Sequence, residues 1–410
     1  MLSSRVPRDY APNPLAIVLQ EKRAAGRPVL DLTATNPTLV GLPMLSAETL
    51  AALADAEGAR YDPDPRGRRE AREAVASYYA GRGAGAAAID PARIFLTAST
   101  SEAYAHLFRL LCDPQDEVLV PRPSYPLLAP LARLEGARLR EYRLAYDGRW
   151  TLDLDSLEAA IGPRTRAVVL IEPNNPTGSC LSHAERAAVE SICSERGITI
   201  ISDEVFGDFP WPPRVEVLPS WNDARRVPTF VLNGISKLCG LPQMKLGWIA
   251  ACGPEGSLKE ALNGLEWIAD LFLSVGTPVQ IALPRLLERR AGFQSAVRER
   301  IDANLAIVRR SAAARGAGSF AAGGEAPFSV LESEGGWSAV LRFEPRGGAA
   351  GTESVAEWAL KGQDVLVHPG HFYDLPGEDD VVVSLLTPPA LMAEAIVRIR
   401  DGWRRTQAVE

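Results

Sequence analysis

Residues 233–248 read Asn233-Gly-Ile-Ser-Lys237-Leu-Cys-Gly-Leu-Pro-Gln-Met-Lys245-Leu-Gly-Trp248 and follow an apolar, strand-like run. A lysine placed just after a buried strand, in a turn-rich segment, is partly removed from water, which makes its amine less basic. The neutral amine can attack an aldehyde and form a Schiff base, so Lys237 is a candidate nucleophile. A single Ser-Lys pair is more often an ordinary surface loop, and the interpretation of Lys237 therefore depends on the rest of the chain.

The composition is that of an acidic, globular protein. Apolar residues make up 46% of the 410 residues and charged residues 23%, which is enough to bury a full core. The formal net charge is −7, and there is no basic block that would recruit nucleic acid. No apolar run approaches the ~18 residues of a membrane helix, and residues 1–10 lack the apolar core of a signal peptide. The five cysteines show neither paired nor metal-ligand spacing, so we expect reduced thiols, no metal site and a cytoplasmic location.

Helices and short apolar runs alternate from about residue 46 onward. The predicted strands are residues 93–97, 117–120, 137–142, 166–171, 198–202, 229–232 and 245–250. The predicted helices include residues 68–79, 100–112, 155–160 and 183–196. Near-continuous apolar strands that alternate with helices predict an α/β fold, in which helices cover both faces of a mostly parallel sheet.

The pattern divides the chain into three parts. Residues 1–45, with several Asn-Pro steps, a helix near 15–25 and a strand at 28–34, predict an arm that packs on the small domain. Residues 46–285 form the large domain. Residues 286–410 form a smaller α+β domain, which begins with a linking helix at about 288–314 and a Gly/Ala-rich loop at 316–326.

Five segments that follow predicted strands carry side chains able to bind a ligand or to react. Thr97-Ala-Ser-Thr-Ser-Glu102 opens a helix, where free N–H groups and hydroxyls suit a phosphate. Tyr125 is held between prolines and could stack on a flat ligand, and the turn Asn174 to Gly178 positions an amide. Asp203 ends a buried strand with a carboxylate that needs a cationic partner. With Lys237, these segments lie where α/β sheets bind ligands, and as a set they describe a pyridoxal phosphate site.

The chain resembles the class I/II aminotransferases, which are pyridoxal phosphate enzymes of fold type I. The resemblance runs from Asp31-Leu-Thr-Ala-Thr-Asn36-Pro to the C-terminal domain and covers nearly the whole length. Its motifs are Tyr61-x-Pro-x-Pro-Arg-Gly67, residues 113–125, Glu172-Pro-Asn-Asn-Pro-Thr-Gly178, Ser202-Asp-Glu-Val205 and Ser236-Lys237. The resemblance implies a homodimer with shared active sites, in which Tyr61 reaches the cofactor phosphate of the neighbouring subunit.

By position, the resemblance also implies the roles of individual residues. Lys237 forms the internal aldimine and moves a proton between the substrate's Cα and the cofactor. Asp203 pairs with the pyridinium nitrogen, Asn175 hydrogen-bonds the ring hydroxyl, and Tyr125 stacks on the ring. The residues implied at the phosphate are Ser99, Thr100, Ser101, Ser236 and Lys245.

Four positions depart from the pattern of the family: Lys245, Gly234, Val382 and Phe206. Lys245 stands in place of an arginine on the phosphate, so the charge is kept but the bidentate fork is lost. Gly234 replaces a serine and removes one possible phosphate hydroxyl. Val382, in the run Asp380-Val-Val-Val-Ser-Leu-Leu-Thr387, occupies the position of the arginine that binds the substrate's α-carboxylate.

Several explanations of Val382 stay open at this point. Another cation binds the carboxylate (Arg342, Arg8 or Arg5), the amino donor carries no carboxylate there, or the comparison is shifted by the loop at 377–380. Asn36 and Arg342 are the further substrate candidates. Three aromatic residues that precede the last strand are candidates for the pocket lining: His368, His371 and Tyr373.

The sequence therefore predicts an aminotransferase that moves an amino group between an amine or amino acid and a keto acid. A lyase or a cyclising enzyme of specialised metabolism is the alternative on the same scaffold, which the missing arginine leaves open. A non-catalytic regulator that binds the cofactor is a third reading. Such regulators carry an added DNA-binding segment, and residues 1–45 are too short and too rich in proline to form one.

Phe206 leads to a spectroscopic prediction. It stands where most of the family has a tyrosine whose hydroxyl reaches the phenolic oxygen of the cofactor. Without that donor the oxygen is more basic, so we expect the protonated, yellow form of the Schiff base to predominate at neutral pH. An absorbance titration of the purified enzyme checks this, and a mainly unprotonated spectrum at neutral pH would contradict it.

Overall fold

The computed structural model describes residues 2–8, 12–43, 45–82, 88–211, 220–223, 226–313, 327–344, 354–377 and 379–407. The predicted Gly/Ala-rich loop at 316–326 lies outside these ranges. In the described ranges the α-helices are α1 Pro14–Ala24, α2 Ala47–Leu50, α3 Arg69–Ala80, α4 Thr100–Leu111, α5 Leu128–Glu135, α6 Leu154–Ala160, α7 His183–Arg196, α8 Ile235–Leu238, α9 Glu255–Asp270, α10 Thr277–Glu288, α11 Arg290–Ala313, α12 Val355–Gln363 and α13 Pro389–Gln407.

The strands are β1 Leu30–Asp31, β2 Ile94–Thr97, β3 Glu117–Arg122, β4 Arg138–Tyr146, β5 Trp150–Leu152, β6 Thr165–Ile171, β7 Thr199–Asp203, β8 Thr229–Gly234, β9 Gly247–Cys252, β10 Phe328–Val330, β11 Ser338–Phe343, β12 Val365–Leu366, β13 His368–Pro369 and β14 Asp380–Ser384. Most predicted elements are present with ends shifted by one to four residues. Trp150–Leu152 and Phe328–Val330 escaped prediction because three residues carry too little periodicity to be recognised.

Local sequence sets the ends of the helices that cover the large sheet. Ser182 and Glu185 form a capping box at the start of α7, which ends at the left-handed Gly197 with φ 64°. At the start of α4, the Ser99 hydroxyl accepts a hydrogen bond from the Glu102 amide at 3.2 Å. This cap orients the first turn of α4 at the end of β2.

The large sheet has eight strands in the order β2-β9-β8-β7-β6-β3-β4-β5. Parallel pairings join β8, β7, β6, β3 and β4. Strand β9 runs antiparallel to both β8 and β2, and β5 runs antiparallel to β4, so six of the eight strands share one direction. The predicted mostly parallel sheet is confirmed.

Alternate residues of the central strands face opposite sides of the large sheet. Val168 and Leu170 of β6 belong to a core cluster with residues of α3, α7 and α10. Val169 and Ile171 of the same strand belong to a second cluster with residues of α4, α5 and α9. Helices therefore cover both faces, as the continuous apolar character of the strands predicts.

A second sheet, in the order β10-β11-β14-β13, is antiparallel throughout. Its apolar side chains form a third core cluster with residues of α11, α12 and α13. Helix α11 corresponds to the predicted linking helix. The exact domain boundaries near residues 45 and 285 stay predictions.

The N-terminal arm lies against the C-terminal part of the chain. Helix α1 packs on α12, and β1 pairs in parallel with β12. The Lys22 ammonium forms an ion pair with Asp364 and donates to the Lys361 carbonyl at 3.0 Å. The predicted strand at 28–34 is reduced to Leu30–Asp31.

Two further findings concern the whole described chain. None of its helices combines the length and the apolar character that crossing a membrane requires. All five cysteines are free thiols, and four of them are buried.

Candidate active site

A cavity of about 420 Å³ opens at the carboxyl ends of the parallel strands. Its lining is drawn from β7, the segment after β8, the start of α4 and the second sheet. Ten of the predicted site residues line it: Ser99, Thr100, Ser101, Tyr125, Asn175, Asp203, Phe206, Ser236, Lys237 and Lys245. Segments far apart in sequence thus meet in one place, as their positions at strand ends predict.

Lys237 lies on α8, the short helix that follows β8. Burial lowers the pKa of its ammonium group, and the nearby Asp203 carboxylate opposes this shift. The Nζ atom lies 5.4 Å from the centroid of the Trp337 ring, so one side of the amine faces an aromatic surface. A lysine in this setting has a larger neutral fraction than one in water, which makes it a better nucleophile.

Asp203 ends β7 and is buried, with 9% of the residue exposed. Burial raises the pKa of its carboxyl group to about 6, and hydrogen bonds from Val205 and Tyr104 act in the opposite direction. The Tyr104 hydroxyl donates to Oδ2 at 3.0 Å, and the Val205 amide donates to Oδ1 at 3.1 Å. Both bonds stabilise the ionised form, which is the form that can pair with a protonated ring nitrogen.

The neighbouring Glu204 points away from the cavity and anchors the end of β7. Its carboxylate pairs with the buried Arg82 at 2.8 Å. It also accepts hydrogen bonds from the Ser220 hydroxyl at 2.9 Å and the Trp221 amide at 2.8 Å. This network fixes the strand end from which Asp203 projects, because breaking a buried pair leaves an uncompensated charge.

The first turn of α4 forms a cup at one end of the cavity. A Cβ atom built on Gly247 would lie 3.3 Å from the Thr100 amide nitrogen, so β9 approaches the helix start closely. Lys245, in the left-handed region with φ 52°, brings a cation to the same end. Free amides, hydroxyls and an ammonium group at a helix N-terminus are the features that bind a phosphate.

Gly234, which departs from the family pattern, has a structural explanation. A Cβ atom at this position would lie 2.9 Å from both the Gly247 Cα and the Leu246 carbonyl oxygen. No side chain fits between β8 and β9 here, so a serine hydroxyl could not be added without moving one strand. The glycine is required by the close approach of the two strands.

Aromatic side chains form the remaining walls of the cavity. Tyr125 borders the opening and is 45% exposed. The Phe206 ring contacts the Trp337 ring edge-on, with 5.4 Å between centroids. The Ser338 hydroxyl donates to the Asn175 side chain at 3.5 Å, a weak contact that leaves the amide group facing the cavity. The cavity combines a phosphate cup, aromatic walls, a buried carboxylate and a lysine. These features fit pyridoxal phosphate.

Seven candidates from the sequence do not line this cavity: Tyr61, Asn36, Val382, Arg342, Arg5, Arg8 and His371. Tyr61 is 80% exposed and borders a separate surface hollow. The Asn36 side chain accepts hydrogen bonds from Thr38. Val382 is buried in β14. The Arg342 guanidinium binds both oxygens of Asp380 at 2.9 Å, because the cross-strand register places the two residues opposite each other.

Several lining residues were not selected as site residues from the sequence. Tyr104 and Trp337 were missed, and of the three aromatic candidates near the last strand His368 and Tyr373 line the cavity. Tyr104 follows Thr100 by one helical turn, and this spacing was the available signal. Trp337 precedes β11 in a loop, where no periodicity indicates which way a side chain faces.

Tyr104 provides a test of the carboxylate's surroundings. We expect Tyr104→Phe to weaken binding of pyridoxal phosphate by about 10-fold or more, because a hydrogen bond to a charged group is lost. Affinity should fall as the pH drops through about 6, where Asp203 becomes neutral, and the variant should move this fall to higher pH. Fluorescence titration of the apoenzyme across pH measures both effects.

Tyr142→Phe is the matched control for this test. Its hydroxyl is also buried and donates to the Val169 carbonyl at 2.8 Å, away from the cavity. This variant should keep the cofactor affinity of the wild type. Equal affinity in the two variants would show that the hydrogen bond between Tyr104 and Asp203 contributes nothing to binding.

Comparison with known proteins identifies the family. The model of the family "Aminotransferase class I and II" matches residues 27–399. The glutamate-pyruvate aminotransferase AlaA of Haemophilus influenzae is 28% identical over 283 residues, which are 68% of this chain and 67% of that protein. The S-alkyl-thiohydroximate lyase SUR1 of Arabidopsis thaliana is 35% identical over 208 residues, which are 49% of this chain but only 44% of the lyase.

Solved structures agree with the observed fold. An alanine aminotransferase from Pyrococcus furiosus superposes with a TM-score of 0.87 at 25% identity, covering 99% of this chain and 100% of that one. The site geometry and the match over nearly the whole chain lead to one conclusion: this chain belongs to the aminotransferase class I and II family, the pyridoxal phosphate-dependent enzymes of fold type I.

Proposed function

We propose that this chain is a pyridoxal phosphate-dependent aminotransferase that moves an amino group between an amine or amino acid and a keto acid. The observation that carries the proposal is the presence of Lys237 and Asp203 in one cavity, each influencing the pKa of the other. A catalytically inactive relative would be expected to have lost Lys237 or Asp203, and both are present. Membership of the aminotransferase family supports the same conclusion.

Different residues of the cavity would bind different parts of the cofactor. Asp203 would keep the ring nitrogen protonated, Asn175 would hydrogen-bond the ring hydroxyl, and Tyr125 would cover one face of the ring. The phosphate would be held by Ser99, Thr100, Ser101, Ser236 and Lys245. When bound, pyridoxal phosphate supplies an electron sink for the pair released at the substrate's Cα.

Lys237 has two roles in this proposal. With the cofactor bound, the neutral amine of Lys237 would hold its aldehyde carbon until a substrate amine takes that place. The Nζ atom would then be free to take up the proton of the substrate's Cα and to return it. Desolvation favours the neutral amine as a base, and Trp337 restricts the positions that Nζ can adopt.

A lyase is the second candidate function, because part of the chain is similar to a plant lyase. The two reactions differ in the fate of the amino group. An aminotransferase passes it to a keto acid, whereas a lyase releases its product without consuming one.

A labelled amino group distinguishes these candidates. We expect the wild-type enzyme to transfer the label from an amine donor to a keto acid, and Lys237→Ala to lose this transfer by several orders of magnitude. Mass spectrometry of the product amino acid measures the transfer. Lys245→Ala is the matched control and should retain transfer at saturating cofactor, with weaker cofactor binding. Release of ammonia or an amine-free fragment without keto acid would favour the lyase, and full activity of Lys237→Ala would contradict both.

The proposal includes a homodimer with shared active sites. Tyr61 lies outside the cavity of its own subunit and borders a hollow that also contains Leu273. The segment before it exposes Trp267, Leu271 and Phe272, at 68%, 62% and 49%. An exposed apolar patch of this kind is typical of a protein interface.

The five free thiols are consistent with a cytoplasmic location, which is also part of the proposal.

The shared site leads to a prediction for Tyr61. In sedimentation, the enzyme should have twice the 44.2 kDa mass of one chain. Tyr61→Phe should remain dimeric but bind pyridoxal phosphate about 10-fold more weakly, because a hydrogen bond to the charged phosphate is lost. A monomer with full cofactor affinity, or unchanged affinity in Tyr61→Phe, would contradict the shared site.

A further inference from the structure

One wall of the cavity is formed by the C-terminal part of the chain. We call it the substrate wall, and it consists of Trp337, Ser338, His368 and Tyr373. It lines the same cavity as Lys237, whose Nζ atom lies 5.4 Å from the centroid of the Trp337 ring. A substituent on the reacting carbon of a substrate would lie against this wall.

The strands behind the wall present apolar side chains. The register pairs Val382 of β14 with both Val340 of β11 and His368 of β13. Val340, Val382 and Tyr373 belong to one core cluster. The layer that supports the wall is therefore hydrocarbon where a cation would be needed to bind an anion.

Apart from His368, the only basic side chains among the described residues that line the cavity are two lysines, and each has another proposed role. Lys237 is the reactive amine, and Lys245 lies at the phosphate cup. Arg342 lies on the same face of the second sheet as Ser338, but its guanidinium group is already bound to both carboxylate oxygens of Asp380. No cation in the described lining is left for a substrate carboxylate.

The polar groups of the wall are neutral. His368 Nδ1 and the Tyr373 hydroxyl share a hydrogen bond of 2.9 Å. Burial lowers the pKa of His368 and raises that of Tyr373 to about 12, so both are uncharged at neutral pH. Ser338 adds a hydroxyl. Such groups can bind a hydroxyl or an amide, but they offset little of the cost of removing a carboxylate from water.

We propose that the amine substrate carries an apolar or aromatic, uncharged substituent against this wall instead of an α-carboxylate, and that Val382 and His368 determine this preference. The proposal rests on the proposed function, since it describes the substrate of that same site. The aromatic rings of Phe206, Trp337 and Tyr373 supply apolar area for such a substituent. A keto acid partner meets the same wall, so its carboxylate should add little to its affinity.

Unreactive ligands test the wall without relying on turnover. 3-Phenylpropanamide and 3-phenylpropionate have nearly the same shape and differ in charge. Calorimetry on the wild-type holoenzyme should show the amide binding about 10-fold or more tightly than the carboxylate. Equal or tighter binding of the carboxylate, or no measurable binding of the amide, would overturn the proposal.

A charge added behind the wall should reverse the preference. Val382→Arg is expected to tighten binding of 3-phenylpropionate by about 10-fold or more, without tightening binding of the amide. Val397→Arg is the matched control, because Val397 is 41% exposed on α13 and should affect neither ligand. If Val382→Arg does not fold, Ser338→Arg places the cation directly in the wall. Failure of a folded variant to gain affinity for the carboxylate would argue against the wall as the determinant.

Different experimental outcomes would reject the proposed function and the proposal about the substrate. Preferential binding of the amide without transfer of a labelled amino group would leave the substrate wall in place and reject the aminotransferase. Transfer from phenylalanine that exceeds transfer from 2-phenylethylamine, together with tighter binding of the carboxylate, would keep the aminotransferase and reject the neutral substrate.

Discussion

The close approach of β8 and β9 at Gly234 and Gly247 is the constraint on which the site depends. A Cβ atom at Gly234 would lie 2.9 Å from the Gly247 Cα, and one at Gly247 would lie 3.1 Å from the Asn233 carbonyl oxygen, so the two strands leave little space for a side chain here. The chain between them, residues 235–246, must leave the sheet and return within a short span. It carries Lys237 out on α8 and brings Lys245 back beside the start of α4. Gly234 and Gly247 thereby hold the two ends of this segment close together in the sheet.

Much of this arrangement could be predicted from the sequence, for a definite physical reason. Buried parallel strands have an unmistakable apolar pattern, and their carboxyl ends meet at one edge of the sheet. Polar residues that follow such strands, like Asp203 and Asn175, are therefore brought together by the topology alone. The resemblance to a known family then supplied their individual roles, which remain proposals.

Other features depend on tertiary packing that no local pattern expresses. Tyr104 reaches Asp203 only because α4 crosses the sheet at a particular angle. Trp337 faces the cavity because of the loop before β11, and Arg342 is occupied because the register sets it opposite Asp380. Tyr61 was selected from a motif, and a single chain cannot complete the contact that its proposed role requires. Short strands such as β5 and β10 leave no periodicity to detect.

The cofactor and the substrate are served by different parts of the chain. Residues 99–247 supply the phosphate cup, Asp203 and Lys237, whereas the second sheet and its adjoining loops supply the substrate wall. Three departures from the family pattern, Phe206, Gly234 and Lys245, lie in the cofactor half, and the fourth, Val382, lies in the other half. Substitutions in the second sheet can therefore alter which amine is accepted while leaving the chemistry of the cofactor unchanged.

The pairing of β1 with β12 affects when parts of the site can form during synthesis of the protein. Thr35, from the arm, lines the same cavity as His368 and Tyr373, which lie more than three hundred residues later in the sequence. During synthesis the ribosome completes the cofactor-binding segments well before these C-terminal residues emerge. The arm has no partner strand until Val365 and Leu366 of β12 have been made. The substrate wall is thus synthesised after the residues that are proposed to hold the cofactor.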